Sequence, residues 1–400
     1  MTKPNTGPLS GIRVVEQGTF ITGPCAGMML ADLGADVIKI ETPGSGDPYR
    51  AYQTGLYSAH FQAYNRNKRS LTLDLKAADD RAVFDQLIAS ADVYIQNFRP
   101  GAAERMGAGV SRLMQLNPKL VYTTISGFGA EGPYAGRPTY DSVAQALSGF
   151  LSVVTDPDQP RFLGPALADA ITGIYAAYGA LGALVERGRT GHGRHVEVSM
   201  MEAMAHFALE PFTALFALGK APGPNDRPRL AQAHILRTAD DKMVVIHLSS
   251  LDKFWDELTE ALDAAHLRDD PRFATRLARI DNFDALHDAL DAITRTRSRA
   301  AWVAEMDGRD VPFAAVNSIA EAAQDPQAQA LELIVPMLRD GDDAASHTVR
   351  PPITLDGVRQ TAVRPAPRLD ADGAAIRAAL QKTPDWPALQ ARDGKHRDAA

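Results

Sequence analysis

Between residues 12 and 126 the chain alternates short β-type runs with helical ones, and this alternation restricts its fold more than any other feature. IRVVE (Ile12–Glu16) reads as a buried strand, Gly23-Pro24 opens an apolar helix running to Leu33, and Gly34 ends it. VIKIE (Val37–Glu41) reads as a second strand and Leu71–Leu75 alternates as a third. Ala77–Ala89 is an amphipathic helix, Val93–Gln96 a fourth strand, and LVYTTIS (Leu120–Ser126) closes the series before a glycine-rich GFGAEG. Parallel strands need long crossovers and helices supply them, so the pattern predicts an α/β fold: a Rossmann-like, mostly parallel sheet covered on both faces. Pro165–Glu186 is a long helical stretch of Ala, Gly and Leu, whose small side chains suit close packing in the interior.

At 400 residues the chain exceeds what one hydrophobic core usually serves, so two domains are expected. GKAPGPNDRPR (Gly219–Arg229) reads as a linker. Two strands (Ala233–Arg237, Met243–His247) follow, then helices marked by Phe254, Trp255, Leu258 and Leu262 and by Leu286, Leu290 and Ile293. The expected division is a large domain over 1–218, a smaller α+β domain over 219–330, and a segment over 331–400 that returns to the large domain. That last segment is rich in Pro, Asp and Arg, and fraying is expected beyond Leu389. A net charge of −7 argues against nucleic acid or anionic membrane as partners of the whole protein. The single cysteine, Cys25, excludes a disulfide framework and any multi-cysteine metal site, and reads as packing in an apolar helix start. No apolar run approaches the roughly 20 residues of a membrane span. MTKPNTGPLS lacks the apolar core of a secretion signal, so the cytoplasm is the expected compartment.

Four segments carry polar chemistry. KIETPGSGD (Lys39–Asp47) follows a strand as binding loops do, but is equally a Pro-Gly turn. It is not a phosphate-cradling GxxxxGK[ST] loop, and no GxGxxG follows the first strand, so a nicotinamide site has no support. NRNKRS gathers Arg66, Lys68 and Arg69, either as a phosphate contact or as a solvated charge run. QNFRPGAAERM sets Asn97, Phe98, Arg99 and Arg105 around a Pro-Gly turn. GPALADAITG places Asp169 at the start of a helix whose next turns are apolar or small. It reads either as an N-cap or as a nucleophilic carboxylate, kept ionised at neutral pH by the helix end, with backbone N–H groups nearby to hold an oxyanion. Histidines are scattered, with only His192 and His195 close together, and no HExxH occurs; a metal-free protein is expected.

Taken together these segments resemble the family III coenzyme A-transferases of CaiB/BaiF type, which also include α-methylacyl-CoA racemases. The similarity runs through LSGIRVVEQGTFITGP, ADLGADVIKIETPGSGDPYR, NRNKRSLTLDL, QNFRPGAAERMG, ISGFGAEGPYAGRPTYDSVAQALSG, ALADAITG and ERGRTGHGRHVEVSMMEA, and covers roughly residues 9–335. The resemblance implies a large Rossmann-like domain, a small domain and an interlocked homodimer. It places the reacting carboxylate on Asp169 and coenzyme A along Lys39, Arg66, Lys68, Arg69, Leu71, Asn97, Phe98, Arg99 and Arg105. Gly127, Gly129, Tyr140 and Asp141 fall on the substrate and oxyanion loop. Coenzyme A enters as a cosubstrate, with an acyl-CoA donor and a carboxylic acid acceptor as partners and no tightly bound cofactor. Relatives carry Arg after the Glu of the KxE segment, where this chain has Thr42. The expected activity is CoA transfer through an anhydride and an aspartyl-CoA thioester. The alternatives are a 2-methylacyl-CoA racemase, whose relatives carry His where this chain has Tyr140, and a non-catalytic CoA-binding protein.

Overall fold

The computed structural model describes residues 7–387 apart from 54, 163, 250–251, 338–345, 362 and 384. The expected fraying beyond Leu389 falls outside the described residues. Six strands, β1 (Arg13–Glu16), β2 (Asp36–Glu41), β3 (Arg69–Thr72), β4 (Val93–Gln96), β5 (Val121–Ser126) and β6 (His195–Ser199), form one parallel sheet in the order β3-β2-β1-β4-β5-β6. The helices that serve it are α1 (Thr22–Asp32), α2 (Ala59–Asn65), α3 (Ala78–Ser90), α4 (Asp141–Leu147) and α5 (Leu167–Thr190). β3 lies earlier than the apolar alternation of Leu71–Leu75 suggests, because its partner β2 ends at Glu41, opposite Thr72.

Adjacent strand residues point to opposite faces, which divides the core in two. Val15, Ile38, Tyr94 and Tyr122 pack with Phe84, Leu87 and Ile88 of α3. Val14, Val37, Val93 and Val121 pack with Ala26 and Leu30 of α1 and Ala176 and Ala180 of α5. On this second face α1 meets α5 closely: a Cβ on Gly173 would lie 2.6 Å from that of Cys25. Contrary to the sequence expectation, α5 is long and apolar enough by length and composition alone to cross a bilayer. Its buried alanines face the sheet.

The strand order reverses direction between β1 and β4, and in such sheets the crevice outside the strand ends at this point is where ligands bind. The loop leaving β1 is anchored there by buried charge. Glu16 Oε1 accepts from Lys39 Nζ at 2.9 Å, and its Oε2 accepts from Lys68 Nζ at 2.6 Å. Lys39 Nζ also donates to Gly18 O at 2.7 Å and pairs with Asp47 at 3.0 Å. All four charged side chains are within the interior. Burial opposes the charge on Glu16, yet the two ammoniums outweigh it and hold the carboxyl below its usual range. Burial likewise opposes the charge on Lys39, but Glu16, Asp47 and Glu41 hold it above the usual range. Burial prevails at Lys68, which is lowered to about 8.

By compactness the chain divides into residues 1–150, 162–209 and 330–400 as one unit, and 151–161 with 210–329 as the other. The smaller unit thus begins before the composition shift at Gly219 and also takes in 151–161. Asp226–Ala231, expected as linker, is helical, and Pro228 is tolerated in its first turn because those N–H groups lack intrahelical partners. The smaller unit carries an antiparallel sheet of β7 (Ala233–Arg237), β8 (Met243–His247) and β9 (Phe313–Ala315), with a core that includes Trp255, Leu258, Leu286, Leu290 and Trp302. In the larger unit the C-terminal segment covers the sheet's edge. Asp372 accepts from Ser70 N at 3.0 Å and Asp370 from Thr72 N at 2.7 Å, occupying donors on the open side of β3.

Two stability predictions follow from these interiors. Glu16→Gln leaves two buried ammoniums short of a counter-charge and is expected to cost about 3–5 kcal/mol, read as a lower midpoint in urea unfolding. In the smaller unit His234 is buried, stacked on Phe283 at 4.2 Å, and neither ring nitrogen has a hydrogen-bond partner. Burial, then the neighbouring His287, lowers its pKa to about 3. A group so depressed contributes its stability above the unfolded-state pKa of about 6.5 and loses it below, by roughly 1.4 kcal/mol per pH unit. His234→Phe is expected to flatten that acid slope in unfolding measurements between pH 6.5 and 4.5.

Candidate active site

Asp169 is the third residue of α5, and its side chain does not cap the helix. Asp141, the first residue of α4, does so instead: its Oδ1 accepts from Ala168 N at 2.7 Å and from Asp169 N at 3.2 Å. Asp141 Oδ2 accepts from Gln145 Nε2 at 2.7 Å, so the capping carboxylate is itself held. The cap thus comes from a residue remote in sequence. Among the described residues the Asp169 carboxyl has no hydrogen-bond or ion-pair partner. Burial, then the like charge of Asp141, raises its pKa from the ordinary carboxylate range to about 7. This corrects the expectation that the helix end keeps Asp169 ionised: the N–H groups that would do so are committed to Asp141, and desolvation prevails.

The glycine-rich loop approaches the same place. A Cβ on Gly127 would fall 2.3 Å from Thr139 Oγ1, so only glycine lets the loop lie against the residue that precedes Tyr140. Gly127 O accepts from Met201 N at 3.1 Å. Gly129 N donates to Ser126 Oγ at 2.9 Å, and this N–H is therefore not free as an oxyanion donor. Tyr140 is 64% exposed. Two further phenols sense Asp169. Burial first, with Asp169 among the lesser causes, raises Tyr49 to about 12 and moves Tyr64 upward.

The residues expected along coenzyme A separate into two groups. Lys39 and Lys68 converge on Glu16 inside the protein. Arg66 pairs with Asp32 at 2.6 Å and also donates to Val349 O. Arg69 pairs with Asp36 at 2.6 Å, and Leu71 is fully buried in the core. None of these five presents a free group to a ligand, because each cation already has a carboxylate and the leucine has no exposed surface. The phosphate cluster read from NRNKRS is, in the folded chain, a set of internal ion pairs. Asn97, at the end of β4, joins the two loops of the crevice: its Oδ1 accepts from Thr19 N at 2.9 Å, and its Nδ2 donates to Thr19 O and Thr22 Oγ1, each at 2.8 Å. Phe98 is half-buried beside it. Arg99 and Arg105 are exposed and, among the described residues, have no carboxylate partner. Sequence reasoning missed Glu16 and Asp47 as the groups that absorb the lysines. Glu16 carried a signal, being a charged residue that directly follows the apolar pair Val14-Val15 at the end of β1.

Comparison with known proteins agrees with the α/β fold. The CoA-transferase family III model matches residues 9–373. The chain belongs to CoA-transferase family III. This transferase is 36% identical to the acetyl-CoA:oxalate CoA-transferase of Acetobacter aceti, over 93% of this chain and 95% of the relative. It is 34% identical to the succinate–glutarate CoA-transferase of Agrobacterium fabrum, over 94% of this chain and 96% of the relative. A crystal structure of a CaiB/BaiF family protein from Brucella suis superposes with a TM-score of 0.83 at 34% identity, covering 94% of this chain and 99% of the other. Among the described residues of the transferase, no group of three or more His, Cys, Asp or Glu side chains could hold a metal ion.

Asp141→Asn keeps an oxygen able to cap α5 but removes the like charge beside Asp169. The pKa of Asp169 is expected to move downward from about 7 while staying above the ordinary aspartate value of about 4, because burial, the larger cause, remains. A carboxyl-carbon NMR titration from pH 4.5 to 8 measures it.

Proposed function

We propose that this transferase moves CoA between carboxylic acids with Asp169 as the covalent carrier. The observation that supports this is the Asp169 carboxyl itself, without a partner among the described residues and relieved of capping by Asp141. A nucleophile needs an uncommitted lone pair, and partial desolvation makes a carboxylate more reactive than it is in water. The carboxylate attacks the thioester carbonyl of the donor, expels CoA thiolate and becomes a mixed anhydride. The thiolate attacks the aspartyl carbonyl, the donor acid leaves, and an aspartyl-CoA thioester remains. An acceptor carboxylate then displaces the thiolate to form a second anhydride. Attack of the thiolate on the acceptor's acyl carbon yields the new CoA ester and restores Asp169. Thioester is exchanged for thioester, so no phosphoryl donor or metal is required, and water must be kept from the anhydrides.

Arg99 and Arg105 on the β4 loop are the cations available to meet CoA phosphates, with Phe98 as a flat apolar neighbour for the adenine. The names of the relatives, which act on oxalate, succinate and glutarate, support a carboxylic acid as acceptor. The protein functions as a homodimer in this reading. Ile174, Tyr178 and Val185 of α5 are 47%, 72% and 69% exposed at helical spacing, an apolar stripe suited to cover by a second copy. A racemase needs a base at the Tyr140 position, where this chain offers a phenol.

Incubation with an acyl-CoA, quenching with hydroxylamine and peptide mass spectrometry are expected to find the trapped adduct on Asp169. Asp169→Ala is expected to lower transfer by roughly 10³-fold or more while CoA still binds. Full turnover in that variant refutes the carrier role, and exchange of an α-proton for deuterium with no adduct favours the racemase.

A further inference from the structure

We infer that Phe20, with Tyr49 and Tyr140 on either side, is the wall against which the transferred acyl group lies, and that the preferred acid is an apolar or aromatic monocarboxylate rather than a small dicarboxylate. The inference rests on Asp169 as the reacting centre.

Phe20 has φ of 58°, a left-handed conformation that a bulky aromatic residue rarely adopts. It is over-determined by its surroundings, as strained residues at functional sites are. Asp47 Oδ1 accepts from Phe20 N at 3.0 Å and from Tyr49 N at 2.9 Å, and Asp47 is itself fixed by Lys39. One carboxylate oxygen therefore sets both rings, whose centroids lie 5.8 Å apart. On its other side Phe20 meets Tyr140 edge-on at 6.1 Å. Tyr140 immediately precedes Asp141, the residue that caps α5. The wall also reaches α5 directly, because Ala166, three residues before Asp169, packs on the cluster of Ile21 and Tyr49 together with Phe20 and Tyr64. Phe20 is half-buried and Tyr140 exposed, so both rings keep surface for a ligand.

Charge argues in the same direction. Burial and the negative Asp141 raise the pKa of the Asp169 carboxyl, and among the described residues no cation pairs with it. Of the basic side chains near the wall in sequence, Arg13 pairs with Asp92, Lys39 with Glu16 and Asp47, Arg50 with Glu41, Arg66 with Asp32 and Lys68 with Glu16. Arg137, three residues before Tyr140, lies over the Tyr134 ring at 4.5 Å. An aryl or branched alkyl group would gain contact with the accessible faces of Phe20 and Tyr140, which a distal carboxylate could not use without being desolvated.

The full-length protein tests this with acetyl-CoA as donor and phenylacetate, 4-methylpentanoate, succinate and oxalate as competing acceptors. At least a tenfold higher kcat/KM for one of the apolar acids over both dicarboxylates is expected. Phe20→Ala and Tyr140→Ala are each expected to reduce that ratio at least fivefold, through KM for the apolar acid. If Phe20→Ala does not fold, Tyr140→Ala, at an exposed position, decides alone. Preference for succinate or oxalate, or a ratio unmoved by the variants, overturns the inference while a trapped Asp169 adduct leaves the carrier role standing. Absence of transfer with every acid, and of any adduct, overturns both.

Discussion

The arrangement of this protein depends on a carboxylate that two ammoniums share in the dark interior of the sheet. Glu16 ends β1 where the strand order turns, and Lys39 from β2 and Lys68 from the approach to β3 both reach it. Burying four charges is costly unless each is answered, and here Glu16, Asp47 and the two lysines answer one another. The result is positional. Lys39 holds the carbonyl of Gly18 and the carboxylate of Asp47, and Asp47 in turn holds the N–H groups of Phe20 and Tyr49. The loop leaving β1 is thereby fixed from below, while Asn97 fixes it from the side of β4. Phe20 and Tyr49, discussed for acyl recognition, stand on this base.

A second constraint separates two aspartates that resemble each other in sequence. Asp141 and Asp169 both stand at helix starts, yet only Asp141 takes hydrogen bonds from the backbone. By answering the N–H groups of α5 it does the structural work that a capping residue does, and it leaves the Asp169 carboxyl without fixed partners among the described residues. The same proximity makes Asp169 harder to ionise. One neighbour thus frees the carboxyl from capping and adds to the burial that raises its pKa.

Much of the larger unit was legible because strand periodicity and helix crossovers are local signals. Val93–Gln96 matches the sequence reading residue for residue, and the other strands of the series differ only at their ends. Asp169 was legible as a candidate through family resemblance, whereas its chemical state was not, since that depends on Asp141 arriving from a different helix. The basic residues show the limit most clearly. Lys39, Arg66, Lys68 and Arg69 read as a positive surface because a sequence displays charge without showing what faces it. Their partners Glu16, Asp32, Asp36 and Asp47 lie up to 52 residues away along the chain, and only the folded sheet brings them together. The excursion of 151–161 into the smaller unit was invisible for the same reason: nothing local marks it.

The cover over β3 has a consequence for how the chain is made. Ser70 and Thr72 leave the ribosome about three hundred residues ahead of Asp372 and Asp370, at separations of 302 and 298. Throughout that interval the nascent sheet has a raw margin able to template a stray strand from a neighbouring polypeptide. Completion of translation closes it, so the last segment of the larger unit acts as a seal whose timing bears on whether newly made molecules stay apart.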